Sequence, residues 1–262
     1  MKYNRLYPLV LWGMKEEDMA GDHGIDFKKR EKEIVTYTPN NLAYNPSSVL
    51  FKERIITFYE PVFPDSANDL KEKLLVLDKM PKDGEEYQDI TLYIDSPGGD
   101  LISLFGIYDT MQHIKSEINT MCVGCAASAA SIILTAGASG KRYALPNSTI
   151  MIHQLRGKTS GTRSDMKIFN DFSDKLTDRL LDIYVRHARY DETGEYVLGY
   201  GDENALLSLE VEAVKPTKKT PKEAKEWLDK WLMFDRWLSA EQAQALGLID
   251  HIIPIKDINK KK

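Results

Sequence analysis

Two side chains able to do acyl-transfer chemistry stand at the ends of two apolar runs. Ser128 closes the run TMCVGCAA (120–127) and opens the helix-like stretch SAASIILTAG, while His153 ends the run STIMIH. A serine hydroxyl becomes a useful nucleophile only when a base takes its proton, and histidine titrates in the right range to do so. Gly124, Ala126 and Ala127 before Ser128, and Ala129 and Ala130 after it, permit a sharp strand-to-helix turn. Such a turn lifts the hydroxyl to a helix N-terminus, where the N–H of Ala129 can face a developing oxyanion. The pattern is not the G-x-S-x-G elbow. A second feature is the pair Gly98–Gly99 in SPGGD, between a strand-like and a helix-like segment. Glycines there let the backbone approach a ligand and present N–H groups to it. Each feature alone has an ordinary structural reading; together they point to a hydrolytic site.

Cys122 and Cys125 form a C-x-x-C pair. A redox pair would open a helix after a strand, which this context partly matches, and a metal would need further ligands close by in sequence. The small neighbours favour two buried thiols packed around a tight turn.

The elements that must position these residues alternate between strand and helix, which implies an α/β fold with no exact internal repeat. Strands are expected at 54–62, 89–95, 119–124, 142–146 and 148–154. Helices are expected at 65–80, capped by Ser66 or Asp65, after SPGGD, at 128–137 and at about 164–190. In the last, Ile168, Phe169, Phe172, Leu176, Leu180, Ile183 and Tyr184 make a broad stripe that should be packed, in part against another subunit. Pro221 opens a further helix, and Ser239 with Gln242 makes a capping box for a short one. Residues 1–46, including the apolar PLVLW, read as an arm that orders on contact or as a tail. Residues 191–220 read as an insertion with a possible strand at 206–214, and 255–262 as a loose tail; the domain proper is 47–254.

At 262 residues the chain can bury a full core in one domain. With 42% hydrophobic and 29% charged residues it has the composition of a soluble globular protein. The net charge of -5 argues against nucleic acid as the main partner. No apolar run approaches the about 20 residues of a membrane span. The first residues turn acidic too soon for a secretory signal or transit peptide. A cytoplasmic protein is expected.

The stretch GCAASAASIILTAGASGKRYALPNSTIMIHQ resembles the signature of ClpP, the proteolytic-subunit family of the Clp protease. SPGGD with the downstream IYDTM, and DRWLSAEQAQALGLID, resemble the same family in the same order. The resemblance covers roughly 47–190 and 221–254. It implies an α/β fold of the ClpP/crotonase-like type, a spiral of ββα units with a protruding helix–strand handle. It also implies a Ser-His-Asp endopeptidase in which Ser128 is the nucleophile, His153 the general base and then acid, and Asp235 the carboxylate that orients His153. Gly99 and Ala129 would supply the oxyanion N–H groups. The family works without metal or cofactor. Its subunits stack as two heptameric rings, a tetradecamer enclosing a chamber, and an AAA+ unfoldase that consumes ATP feeds in unfolded polypeptides; neither nucleic acid nor membrane is involved.

Some residues depart from the family pattern. Leu155 stands where proline is usual. Met233 and Phe234 replace an acidic residue and an arginine that help bridge the rings, so ring contact should be different or weaker. The arm before Asn45 is longer than usual. Three alternatives follow: a stand-alone or phage-type processing protease, a crotonase-like acyl-CoA enzyme, and a non-catalytic regulatory ring subunit.

Overall fold

Runs rich in β-branched and aromatic residues build the centre of the molecule. The computed structural model describes residues 36–37, 43–80, 87–187, 196–197 and 218–256. Its sheet runs from β3 (Ile55–Phe58) at one edge through β4 (Ile90–Ser96) to β5 (Ile118–Ala127), which are parallel neighbours. Along β4 the side chains alternate, with Ile90, Leu92 and Ile94 buried and Asp95 exposed. On the far side, β5 meets two partners in succession. Thr120–Cys122 pair with β6 (Arg142–Ala144) and Cys125–Ala127 with β7 (Thr149–Ile152), both parallel. β10 (Arg236–Ser239) runs antiparallel to β7, and β11 (His251–Ile252) lies parallel to β6.

Helices α2 (Pro64–Lys79), α3 (Leu101–His113) and α4 (Ala129–Thr135) follow β3, β4 and β5 in turn, as parallel strands require a crossover between them. Leu70, Leu74 and Leu77 of α2 join the core. Every residue of α4 is buried. α5 (Arg163–His187) buries Leu176, Leu180, Ile183 and Tyr184, but only in its second half. Phe169 and Phe172 pack partly against the core, and Ile168 is exposed. The first half thus projects as the helical part of a handle, and residues 154–162 before it carry no regular structure.

α1 (Pro46–Lys52), α6 (Pro221–Trp231) and α7 (Ala240–Ala245) complete the helices among the described residues. The capping box at Ser239 and Gln242 forms as expected, and α6 has a second one, Thr220 with Glu223. Two short antiparallel pairs, β1 (Thr36–Tyr37) with β2 (Ala43–Tyr44) and β8 (Tyr196–Val197) with β9 (Lys218–Lys219), stand apart from the sheet. PLVLW, the strand expected at 206–214 and the tail from 257 lie outside the described residues.

Several expectations need correction. Ser66 and Asp65 are not the N-cap of α2, because Pro64 takes the first helical position and Phe63 precedes it; Ser66 Oγ instead accepts from the Phe63 N–H at 3.0 Å. The strand expected at 54–62 stops at Phe58, just before Pro61, which has no N–H to give a ladder. The strand expected at 119–124 continues to Ala127.

Two buried arginines tie the elements together. Arg142 gives two hydrogen bonds to the Asp250 carboxylate, at 2.8 and 2.6 Å, and a third to the His187 carbonyl at 2.6 Å. Arg54 donates to the carbonyls of Leu77, Met80, Gln88 and Asp89.

Candidate active site

The turn between β5 and α4 carries Ser128 in an unusual backbone conformation, φ 54° and ψ -123°. For a residue with a Cβ this costs of order 1–3 kcal/mol and persists only where the surroundings enforce it. They hold both its N–H and its carbonyl here. The Ser128 N–H donates to the Met151 carbonyl of β7 at 2.8 Å. The Ser131 hydroxyl donates to the Ser128 carbonyl at 2.6 Å and lies 2.8 Å from the Tyr184 hydroxyl. Ser131 has one proton, so Tyr184 is the donor in that second bond.

His153 follows β7 directly and is buried. Its Nε2 lies 2.8 Å from Ser128 Oγ, so the two residues that chemistry picks out of the sequence meet in a hydrogen bond. Gly99 and Ala129 line the same pocket, with Leu101 and Ile132 forming apolar wall. The SPGG loop is held against it by a short parallel bridge between Val62 and Gly99. The Val62 N–H donates to the Gly98 carbonyl at 2.9 Å, and the Asp100 N–H to the Val62 carbonyl at 2.7 Å.

Asp235 reaches the site through strand register. Arg236 pairs with Ile152 across β10 and β7, which sets Asp235 level with His153. Asp235 Oδ1 stands 3.9 Å from His153 Nδ1, an ion-pair distance but longer than an N–H···O hydrogen bond. The same oxygen accepts from the Arg156 guanidinium. Arg156 lies in the irregular segment 154–162, and nothing in its spacing links it to a carboxylate 79 residues away. Burial, and next the Arg156 charge, lower the pKa of His153, while Asp235 opposes them. Both lowering effects favour the neutral imidazole, a form able to accept a proton from a neighbouring hydroxyl.

The two cysteines take no part in this geometry. They lie on a bulged stretch of β5 rather than around a tight turn: pairing with β4 shifts register between Ile94–Cys122 and Ser96–Ala126. The Cys125 N–H donates to the Asp95 carboxylate at 2.9 Å. Both thiols are free. Cys122 is buried but Cys125 only half-buried, against the expectation of two buried thiols; burial pushes Cys122 up to about 11 and raises Cys125 as well, which lowers the thiolate fraction that reacts. Among the described residues no group of His, Cys, Asp and Glu is placed to hold a metal ion, and no helix is long and apolar enough to cross a membrane.

A parallel α/β sheet that presents a strained serine at a strand-to-helix turn, bonded to a buried histidine from the next strand, has the architecture of a serine hydrolase. Comparison with known proteins narrows this: the chain belongs to the Clp protease family, whose model matches residues 39–196. That span contains Gly99, Ser128, Ala129 and His153, and ends before Asp235. An ATP-dependent Clp protease proteolytic subunit 1 from Corynebacterium efficiens is 36% identical over 215 residues, 82% of this chain and 86% of the relative. Subunit 4 from Streptomyces avermitilis is 36% identical over 217 residues, 82% of this chain and 80% of the relative. A subunit 2 from Mycobacterium tuberculosis is 50% identical over 126 residues, 47% of this chain and 57% of the relative. The chain is thus an enzyme of a protease family, with the mixed α/β fold expected of it.

Proposed function

We propose that this chain is the serine endopeptidase subunit of a chambered Clp-type protease, cleaving unfolded polypeptides through Ser128, His153 and Asp235. The observation that carries the reading is the 2.8 Å contact of His153 Nε2 with Ser128 Oγ at the wall of a pocket. Ser128 Oγ attacks the scissile carbonyl carbon as its proton passes to Nε2, and the carbonyl electron pair moves onto oxygen. The N–H groups of Gly99 and Ala129 stabilise that oxyanion. Collapse expels the amine, which takes the proton from His153, and leaves an acyl-serine. Water, deprotonated by His153, then releases the acid and restores the hydroxyl. Asp235 orients the ring and stabilises its cation.

The reaction draws on no metal or cofactor, in keeping with the family. ATP is consumed by a partner AAA+ unfoldase, as the "ATP-dependent" of the relatives' names suggests. Exposed Ile168, Met233, Phe234 and Trp237 favour assembly into stacked rings, within the cytoplasm. The unit 47–254 is read as the peptidase, with the preceding arm at the gate.

The test is degradation of a stably folded protein by the full chain with a Clp ATPase and ATP. Degradation that needs both, beside ATP-independent cleavage of short peptides, is expected. Folded-protein cleavage without the ATPase would favour a stand-alone processing protease.

A further inference from the structure

Asp235 has two suitors. Its Oδ1 accepts from the Arg156 guanidinium and stands 3.9 Å from His153 Nδ1. The arrangement is built, because the Gln154 N–H donates to the Leu232 carbonyl at 2.8 Å. That bond pins the segment leaving His153 to the turn that carries Asp235, and so brings Arg156 within reach. Among the described residues, the chain neighbours of Asp235 offer no competing cation. Phe234 is apolar, and Arg236 donates to the Trp231 carbonyl at 2.9 Å with its guanidinium 5.0 Å from the Trp231 ring centre. Both partners keep some freedom, with side chains 57% exposed for Arg156 and 32% for Asp235.

We propose that Arg156 is a positioning residue that competes with His153 for the Asp235 carboxylate and sets how strongly the triad is closed. The inference rests on the serine-peptidase reading given above. While Arg156 holds the carboxylate, Asp235 is about 1 Å beyond hydrogen-bond reach of Nδ1, and a second positive charge faces the imidazolium that forms as Ser128 loses its proton. Both effects oppose the transition state. Drawing Arg156 away lets the carboxylate turn to Nδ1 and stabilises that cation. Among the described residues, the other titratable groups at His153 are Ser128 at the start of α4 and Tyr184 from α5, which lines the same pocket. Burial raises the Tyr184 phenol, so it stays neutral in the working range.

The experiment compares wild type with Arg156→Gln, Arg156→Ala and Arg156→Lys as full-length chains. It follows the pH profile of kcat/KM on a fluorogenic peptide and counts sites with a fluorophosphonate label at Ser128. Removing the charge should raise kcat about fivefold, the effect expected of one exposed ion pair. It should also move the acid limb of the profile to higher pH, because His153 regains the support of Asp235 and loses a repelling charge. Arg156→Lys should stay near wild type in both. The proposal is overturned if labelled Gln and Ala variants show an unmoved or lowered limb, or lose activity. A wild type that takes no label at Ser128 and cleaves no peptide overturns the peptidase reading itself, whereas labelling with an unmoved limb removes only the role of Arg156.

Discussion

Gly98 packs so closely against Ser128 that a methyl group on its Cα would stand 2.8 Å from the serine Cβ, and 2.4 Å from the Ala127 carbonyl oxygen. Gly98 also has φ of 82°, a conformation costly for any residue with a side chain. The loop after β4 and the turn after β5 are therefore fitted backbone to backbone, and the position of Ser128 depends on a residue with no functional group. Gly98→Ala should push Ser128 away from His153. A misplacement of about 1 Å can cost a hundredfold in rate. Peptide hydrolysis should fall at least that far while circular dichroism stays that of the native fold. Near-normal turnover would show the loop to be more yielding than it looks.

The Arg142–Asp250 pair is nearly inaccessible to solvent, with both side chains 4% exposed. Removing one partner strands the other charge in the interior, which costs about 3–5 kcal/mol. Asp250→Ala should lower the free energy of unfolding by that amount in a denaturant titration. A loss below about 1 kcal/mol would mean that water reaches Arg142.

His187, whose Nε2 lies 3.0 Å from the Tyr108 hydroxyl, is lowered to about 4 by burial, with the charges of Arg142 and Arg186 adding to it. The unfolded histidine titrates near 6.5, so between 6.5 and 4 the unfolded chain binds the extra proton and stability falls as pH falls. Below about 4 this contribution has been lost. His153, also lowered, adds to the same slope. Denaturation midpoints across this window should decline less steeply in His187→Gln than in wild type; parallel slopes would contradict the assignment.

Phe234 and Trp237 are 67% and 58% exposed, beside Met233 at 59%. Together they offer apolar surface that a second copy of the chain could cover. Covering it contributes roughly 25 cal/mol per Å2, with little dependence on salt. Sedimentation across a salt series should show an assembly that persists, and Phe234→Asp should lower both its mass and its peptidase activity. An assembly that dissolves at modest salt would count against this.

Much of the site was legible because chemistry and local pattern coincide in it. Ser128 and His153 each end an apolar run, and small residues around Ser128 mark the turn. The capping box at Ser239 was equally plain, since it is a four-residue rule. What escaped depends on distance in the chain or on context. β10 has one buried residue, Leu238, too little for an alternating pattern to reveal. Its register, which sets Asp235 beside His153, exists only once β7 is in place. Asp235 itself came from the family resemblance, and Arg156 from neither source. The first half of α5 has an apolar stripe like the second, but one chain alone offers only the second half a full core to bury it in.

The role of Ser128 is tested most directly by a fluorophosphonate reaction on the assembled full-length chain, with the adduct mapped by peptide mass spectrometry and repeated on Ser128→Ala. A single adduct on Ser128 is expected, none in the variant, and turnover in the variant reduced by up to about a millionfold with assembly mass unchanged. An adduct on another serine, or a variant that still cleaves peptide at the wild-type rate, would contradict it.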